Sequence, residues 1–220
     1  MKKLFQAIRQ GNDAAVRALL EKKPKLISCT AKQPPKKDDG QSPLQVALKT
    51  GRLEIAEYLL DLGADVNFME AEDCASGWRA PVLHDAINAA VMNSRWNENL
   101  QPTGGGVKVF HTQAEADQAF LILKRMLDLG ADIRGVDSYG NTCVWRLCLQ
   151  ARQVLPPYNH STRAVGSTRI LTPELKEDLA RIFALLRNRG MDIECIKPGT
   201  SATVRELYKD EPIAQFLVFD

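Results

Sequence analysis

Three near-identical tags recur along the chain: Leu59-Leu60-Asp61-Leu62-Gly63-Ala64-Asp65-Val66, Met126-Leu127-Asp128-Leu129-Gly130-Ala131-Asp132-Ile133, and Leu185-Leu186-Arg187-Asn188-Arg189-Gly190-Met191-Asp192-Ile193. Each reads as an apolar helix end, a glycine able to take positive φ as a left-handed cap, and a turn carrying Asp and a β-branched residue. Such repetition means that one structural unit has been stacked several times. It constrains the architecture before any single site is considered, and it leaves open what the protein binds.

The unit is legible in residues 40–67. Ser42 reads as an N-cap and Pro43 as the first helical residue, where its missing N–H is harmless. Leu44, Ala47 and Leu48 keep helical spacing, and the small Ala47 lets a neighbouring helix approach closely. Gly51 ends that helix. A second is predicted from about Leu53 to Leu62, burying Ile55, Ala56, Leu59 and Leu60 before Gly63 stops it. Helices this short are marginal alone in water, so each needs neighbours over its apolar face.

The opening of the unit is repeated as well. Ser42-Pro43-Leu44-Gln45-Val46-Ala47, Pro81-Val82-Leu83-His84-Asp85-Ala86 and Asp137-Ser138-Tyr139-Gly140-Asn141-Thr142-Cys143-Val144-Trp145-Arg146-Leu147 correspond. With the Gly-Ala-Asp tags, they resemble the ankyrin-repeat family, whose unit is a turn followed by an antiparallel helix pair. The resemblance covers nearly the whole chain. It departs from the pattern in keeping the motif's histidine in only one copy and its proline at the expected place in only one. It implies an all-α ankyrin-repeat solenoid in a single domain. The units fall at about 1–38, 39–78, 79–136 and 137–196, with a partial cap at 197–220. The first unit follows the pattern through Leu4, Ala7, Ile8, Gly11, Val16, Leu19 and Leu20 but ends in Lys23-Pro24-Lys25; in the cap, Ser201 is the expected N-cap, ahead of Val204, Leu207, Ile213, Phe216 and Leu217.

From Gly63 to Gly130 is 67 residues and from Gly130 to Gly190 is 60. An ankyrin unit takes about 33, so the third and fourth units carry about 34 and about 27 residues in excess. Both excesses fall between the two helices of a unit, at about 93–114 and about 151–171. Consecutive units interrupted at the same point must put their loops side by side on one edge. Loops this long with little structure of their own are uncommon unless functional or disordered. These carry Trp96, Phe110 and His111 in the first, and Pro156-Pro157-Tyr158, His160, Arg163 and Arg169 in the second. Their apolar groups predict packing on each other or on the scaffold. Either they form a recognition platform rich in Trp, Tyr and Arg, or they are tolerated elaborations anchored by a few aromatics.

The net charge of +2 gives no strong global field toward nucleic acid or membrane. Basic residues crowd the first unit (Lys22, Lys23, Lys25, Lys32, Lys36, Lys37), which reads as a solvated face, and the connection at Glu70, Glu72 and Asp73 is acidic. Five widely spaced cysteines argue for thiols in a reducing cytoplasm, with Cys143 and Cys148 in the core. The N-terminus enters the first unit without the apolar stretch of a signal peptide, and no run approaches a membrane span.

Motifs that carry chemistry are scarce. His84 sits at the family's Thr-Pro-Leu-His position, which implies a structural imidazole hydrogen-bonded within and between turns. His111 and His160 lie in the two insertions, without the cysteines that zinc ligation would favour. Cys74 and His84 lack a third group for nucleophilic catalysis. Gly104-Gly105-Gly106-Val107-Lys108 has neither the preceding strand nor the following helix of a phosphate loop and reads as a turn. No cofactor or metal is expected.

In ankyrin-like proteins the turn tips and the exposed side of the first helices line a concave recognition surface. Carried over by position, the candidates are Gln41, Lys49 and Thr50, then Trp78, Arg79 and Asn88, then Ser138, Tyr139, Asn141, Arg146 and Gln150. Trp96, Tyr158 and Arg163 join them from the insertions. Trp145, in place of the motif's histidine, is expected to pack between first helices, and Trp78 either faces a partner or folds over the neighbouring tip. The leading reading is a non-enzymatic, monomeric module that binds a folded protein through its concave face, its insertions, or both. The resemblance to short bacterial ankyrin proteins adds an inhibitor or immunity role by fold-level analogy. The alternative is an enzyme or small-ligand binder with a pocket between the insertions around His111, Tyr158, His160 and Arg163.

Overall fold

The structure is a computed structural model and describes residues 1–75, 77–196 and 199–218. Ser76, in the turn ahead of Trp78, and Phe219 and Asp220, at the end of the expected cap, lie outside the described residues. Helices α1 (Lys2–Gln10), α2 (Asp13–Lys22), α3 (Pro43–Lys49), α4 (Leu53–Asp61), α5 (Val82–Met92), α6 (Gln113–Asp128), α7 (Cys143–Val154), α8 (Pro173–Asn188) and α9 (Val204–Tyr208) follow in chain order. They make two rows: α1, α3, α5 and α7 touch in sequence, and α2, α4, α6 and α8 run alongside. This is a helical repeat fold. Its apolar residues form one continuous core from Leu4 to Leu217.

Local chemistry explains the boundaries. Ser42 and Gln45 form a reciprocal capping box at α3, each side chain bonding the other residue's N–H (3.2 and 3.1 Å). Gly63, Gly130 and Gly190 all sit at positive φ, 79°, 90° and 93°. A Cβ at any of the three would meet nothing, so backbone conformation rather than space demands glycine there. Trp145 is buried between the rows, with its ring 5.7 Å from that of Tyr208. Cys143 and Cys148 are core thiols; burial pushes Cys143 up to about 12 and Cys148 well above its usual range.

Two boundaries differ from expectation. Helix α7 runs on to Val154 rather than stopping near Gln150, because Ala151, Val154 and the following Leu155 continue its buried stripe. The cap at α9 is Thr203, not Ser201, since Thr203 and Glu206 make a capping box (3.2 and 2.8 Å). Leu207 is exposed in consequence, and Tyr208 takes the buried position.

Part of the excess length of each unit goes into its second helix. Helices α6 and α8 have 16 residues against 9 in α4, an extension of about two turns or roughly 10 Å. The remainder forms two short antiparallel hairpins. Strands β1 (Asn97–Asn99) and β2 (Val107–Val109) pair in the first insertion, with Gly104-Gly105-Gly106 in their connection. Strands β3 (Tyr158–Asn159) and β4 (Ala164–Val165) pair in the second.

Candidate functional site

Two surfaces hold the predicted residues: the row of turn tips with the adjoining faces of α3, α5 and α7, and the insertion edge.

On the first, Asp137 organises the turn ahead of α7. Its carboxylate accepts from the Tyr139 and Asn141 N–H groups (2.9 Å each), from Asn141 Nδ2 (3.0 Å), from Trp78 Nε1 (3.3 Å) and from Arg146 Nη2 (3.1 Å). Burial alone would raise this carboxyl; the bonds from Asn141, Tyr139 and Trp78 outweigh that and hold it below the usual range. Trp78 therefore folds over the neighbouring tip, half-buried, with the Arg146 guanidinium 5.0 Å and Lys49 Nζ 5.3 Å from its ring. The Arg79 carbonyl accepts from the Ser138 N–H (2.9 Å), the Arg79 N–H donates to Ser138 Oγ (3.2 Å), and the guanidinium reaches Glu72 (3.5 Å). Tyr139 alone among these aromatics projects outward, 65% exposed.

The connection before α5 is held by the buried Glu70, which accepts from the Ala80 N–H (2.9 Å) and Gln41 Nε2 (3.4 Å). The acidic stretch that looked like surface charge is thus partly structural. His84 is fully buried as its motif position implies, but the hydrogen-bond network expected of it is thin. Neither ring nitrogen is closely paired, and the Gly135 backbone is its nearest polar help. Burial, reinforced by Arg146, lowers its pKa to about 4, so it is neutral at physiological pH.

Beside His84, on the α5 side facing Lys49 and Gln150, lies a residue that the sequence did not single out. Asp85 is 2% exposed, and neither carboxylate oxygen is closely paired. Gln45, its nearest polar help, has its amide committed to the Ala80 carbonyl (3.1 Å). Burial pushes Asp85 up to about 7 against the pull of Lys49 and Arg146. It lies on a cavity of about 270 Å³ lined also by Leu48, Lys49, Trp78, Asn88 and Met92. The available signal was an acidic residue between buried positions of the first helix, where the other copies carry Val46 and Arg146.

On the insertion edge the two hairpins lie side by side and are bonded together. Asn97 uses both ends of its amide on Ile170 (2.7 and 2.9 Å), and Asn99 bonds the Thr168 and Ser167 carbonyls (2.9 and 2.8 Å). Arg95 ties the base of the first insertion to the buried Asp178 of α8 through its N–H, Nε and Nη2, all at 2.9 Å. Trp96 stacks on Phe110 (4.0 Å, 9°) and donates to the Met92 carbonyl (3.1 Å); it holds the hairpin together. Tyr158 packs edge-on against His160 (5.1 Å), and Arg163 is exposed at the hairpin tip.

The two insertion histidines face different partners. His111 lies 3.9 Å from Glu115, and His160 3.3 Å from Glu211. The cavity holding Tyr158 and His160 is lined by residues between 157 and 166, all from the second insertion. Among the described residues, no cluster of His, Cys, Asp or Glu suits a metal ion.

The family model for ankyrin repeats (3 copies) matches residues 2–70. Those residues are ankyrin repeats. No curated relative matches it. The matched stretch covers α1 to α4 and ends before the insertion-bearing part of the chain, where the same two rows of helices continue. Ankyrin repeats are in general protein-interaction modules, and among the described residues no helix is long and apolar enough to cross a membrane.

Proposed function

We propose that the chain is a non-enzymatic ankyrin-repeat binding module of four repeats and a C-terminal cap that recognises a folded protein through the turn tips and first-helix faces. The observation that carries the reading is Tyr139. Its turn is over-determined by the bonds to Asp137, yet the residue stands 65% exposed. An aromatic held rigidly at a loop tip is the kind of anchor that dominates interface energetics, because little freedom is lost when it is covered. Arg79, Asn141, Arg146 and Trp78 supply a polar and aromatic surround.

The insertion edge is the second contact surface, contributing Tyr158 and Arg163, with Trp96 as its internal support. A pocket between the insertions has less support, since His111 and His160 engage different neighbours. The core thiols Cys143 and Cys148 suit a reducing cytoplasm. The closed end at α9 suits a monomer. An inhibitor or immunity role remains the narrower reading by analogy with short bacterial ankyrin proteins.

Quantitative affinity capture tests this with the intact protein, a Tyr139→Ala/Arg79→Ala variant, and a variant with both hairpins shortened. A protein retained by the intact chain and lost from the tip variant supports the reading. Retention that survives the tip change and disappears with the hairpins moves the site to the insertion edge. Retention of no protein by the intact chain refutes both.

A further inference from the structure

The cavity above Asp85 has an inventory that narrows its occupant. Its unsatisfied polar atoms are both Asp85 oxygens and the buried Asn88 Oδ1, all acceptors. Its walls include Leu48, Ala89 and Met92, which suit an aliphatic stem. Trp78 borders it and already carries cations beside its ring, from Lys49 and Arg146. Lys49 Nζ lies toward that ring, and Arg146 is held by Asp137, which leaves the carboxylate without a close donor. A head group that only donates, on an apolar stem, satisfies the unpaired acceptors and the apolar walls together; a carboxylate or phosphate would leave the acceptors unpaired. Guanidinium fits better than ammonium. Its planar fork serves several acceptors at once, it is weakly hydrated, and it packs against aromatic faces.

We propose that the cavity lined by Asp85, Asn88 and Trp78 receives an arginine side chain of the partner protein. The inference rests on the reading of this face as the binding face and names the chemistry that the face selects. The arginine head bonds the Asp85 carboxylate and Asn88 Oδ1 while its methylenes lie along Leu48, Ala89 and Met92. Entry of the cation fixes Asp85 in its ionised form, so binding below neutral pH releases a proton and tightens as pH rises. The charged groups around Asp85 are Lys49 on α3, Glu70 in the connection after α4 and Arg146 on α7, with the neutral His84 beside it on α5.

The test is an NMR titration of the intact protein with N-acetyl-arginine-methylamide, using the citrulline counterpart as the uncharged isostere. Saturable shifts are expected at the Trp78 indole N–H, the Asn88 side-chain amide and the Ala89 backbone, with millimolar affinity that improves from about pH 6 to about pH 8. Asp85→Asn keeps the shape and is expected to weaken binding roughly tenfold or more. Thermal melts confirm that the variant is folded. Absence of saturable shifts, equal shifts with the citrulline compound, or unchanged binding by Asp85→Asn overturns the assignment. The Tyr139-dependent capture tests the face independently: a partner lost on Tyr139→Ala but indifferent to Asp85→Asn leaves the face standing and removes only the arginine pocket.

Discussion

Replacing Asp85 by Asn should stabilise the protein, and the gain should depend on pH in a particular way. The folded carboxyl has a pKa of about 7 against an ordinary value of 3.8. Because the folded value is raised, the neutral form is favoured by folding. That stability is complete below about 3.8 and is lost as pH rises through about 7. With 1.36 kcal/mol per pH unit, the interval corresponds to about 4 kcal/mol. Asparagine has the same shape and never ionises. The difference between variant and wild type should therefore be flat below about pH 4, grow through the acid range, and level off above about pH 7. In a chain of 220 residues, the plateau equals a rise in Tm on the order of 10 °C. Urea unfolding followed by circular dichroism across this pH range measures it, and the difference between the two proteins cancels all other titrating groups. Parallel curves would refute the reasoning, because they would mean that the carboxylate is solvated or paired in the folded state.

His84 should act in the opposite sense: its folded value of about 4 lies below the ordinary 6.5. The stability it contributes is present above about 6.5 and lost as pH falls toward about 4, so His84→Gln should remove about 3 kcal/mol of acid sensitivity in the same urea series. Arg95→Ala removes one guanidinium from the buried Asp178 carboxylate, which keeps Arg181 (3.1 Å) and the N–H of residue 95 (2.9 Å), and should cost about 2 kcal/mol. Faster hydrogen exchange should then appear across residues 93–110, while α1 to α4 keep their protection. Gly130→Ala forces a side chain to φ 90° with no steric relief to gain; a loss of about 1 kcal/mol is expected, and a melt at the wild-type temperature would contradict it.

The stacking units were legible because their signals are local. A glycine three or four residues beyond the last buried leucine marks a helix end whatever surrounds it, and Gly63, Gly130 and Gly190 all do so. The place of the insertions followed from the same glycines by subtraction. Two boundaries were misplaced although their signals were available. The stripe Leu147, Ala151, Val154 carries α7 beyond Gln150, and Thr203 with Glu206 three residues later is a capping box that outranks Ser201. What could not be read was long-range. Arg95 and Asp178 stand 83 residues apart, and an aspartate on the same buried face of α8 as Leu175, Leu179 and Ile182 gives no hint of its partner. Asn97 looked like an ordinary loop residue, yet its amide substitutes for a strand pairing with Ile170. Trp96 was visible as an aromatic, but that it closes on Phe110 depends on the hairpin register.

Asp85 and His84 make the proposed binding face a point of opposed electrostatic tensions. Both are buried on one turn of α5, and in the interval between about pH 4 and about pH 7 one loses stability as the other gains it. The folded chain can therefore hold two poorly satisfied titratable groups with little net slope. Asp85 also lines a cavity. A buried acceptor that destabilises the free protein is relieved when a donor covers it, so the energy withheld from folding becomes available to binding. The same logic explains why the insertions are braced separately by Arg95–Asp178 and Trp96–Phe110. These contacts hold the hairpins without drawing on the Asp85 carboxylate. A partner that covers the face therefore meets a rigid Tyr139, a wall of apolar α3 and α5 side chains, and a carboxylate whose best hydrogen bonds have yet to be made.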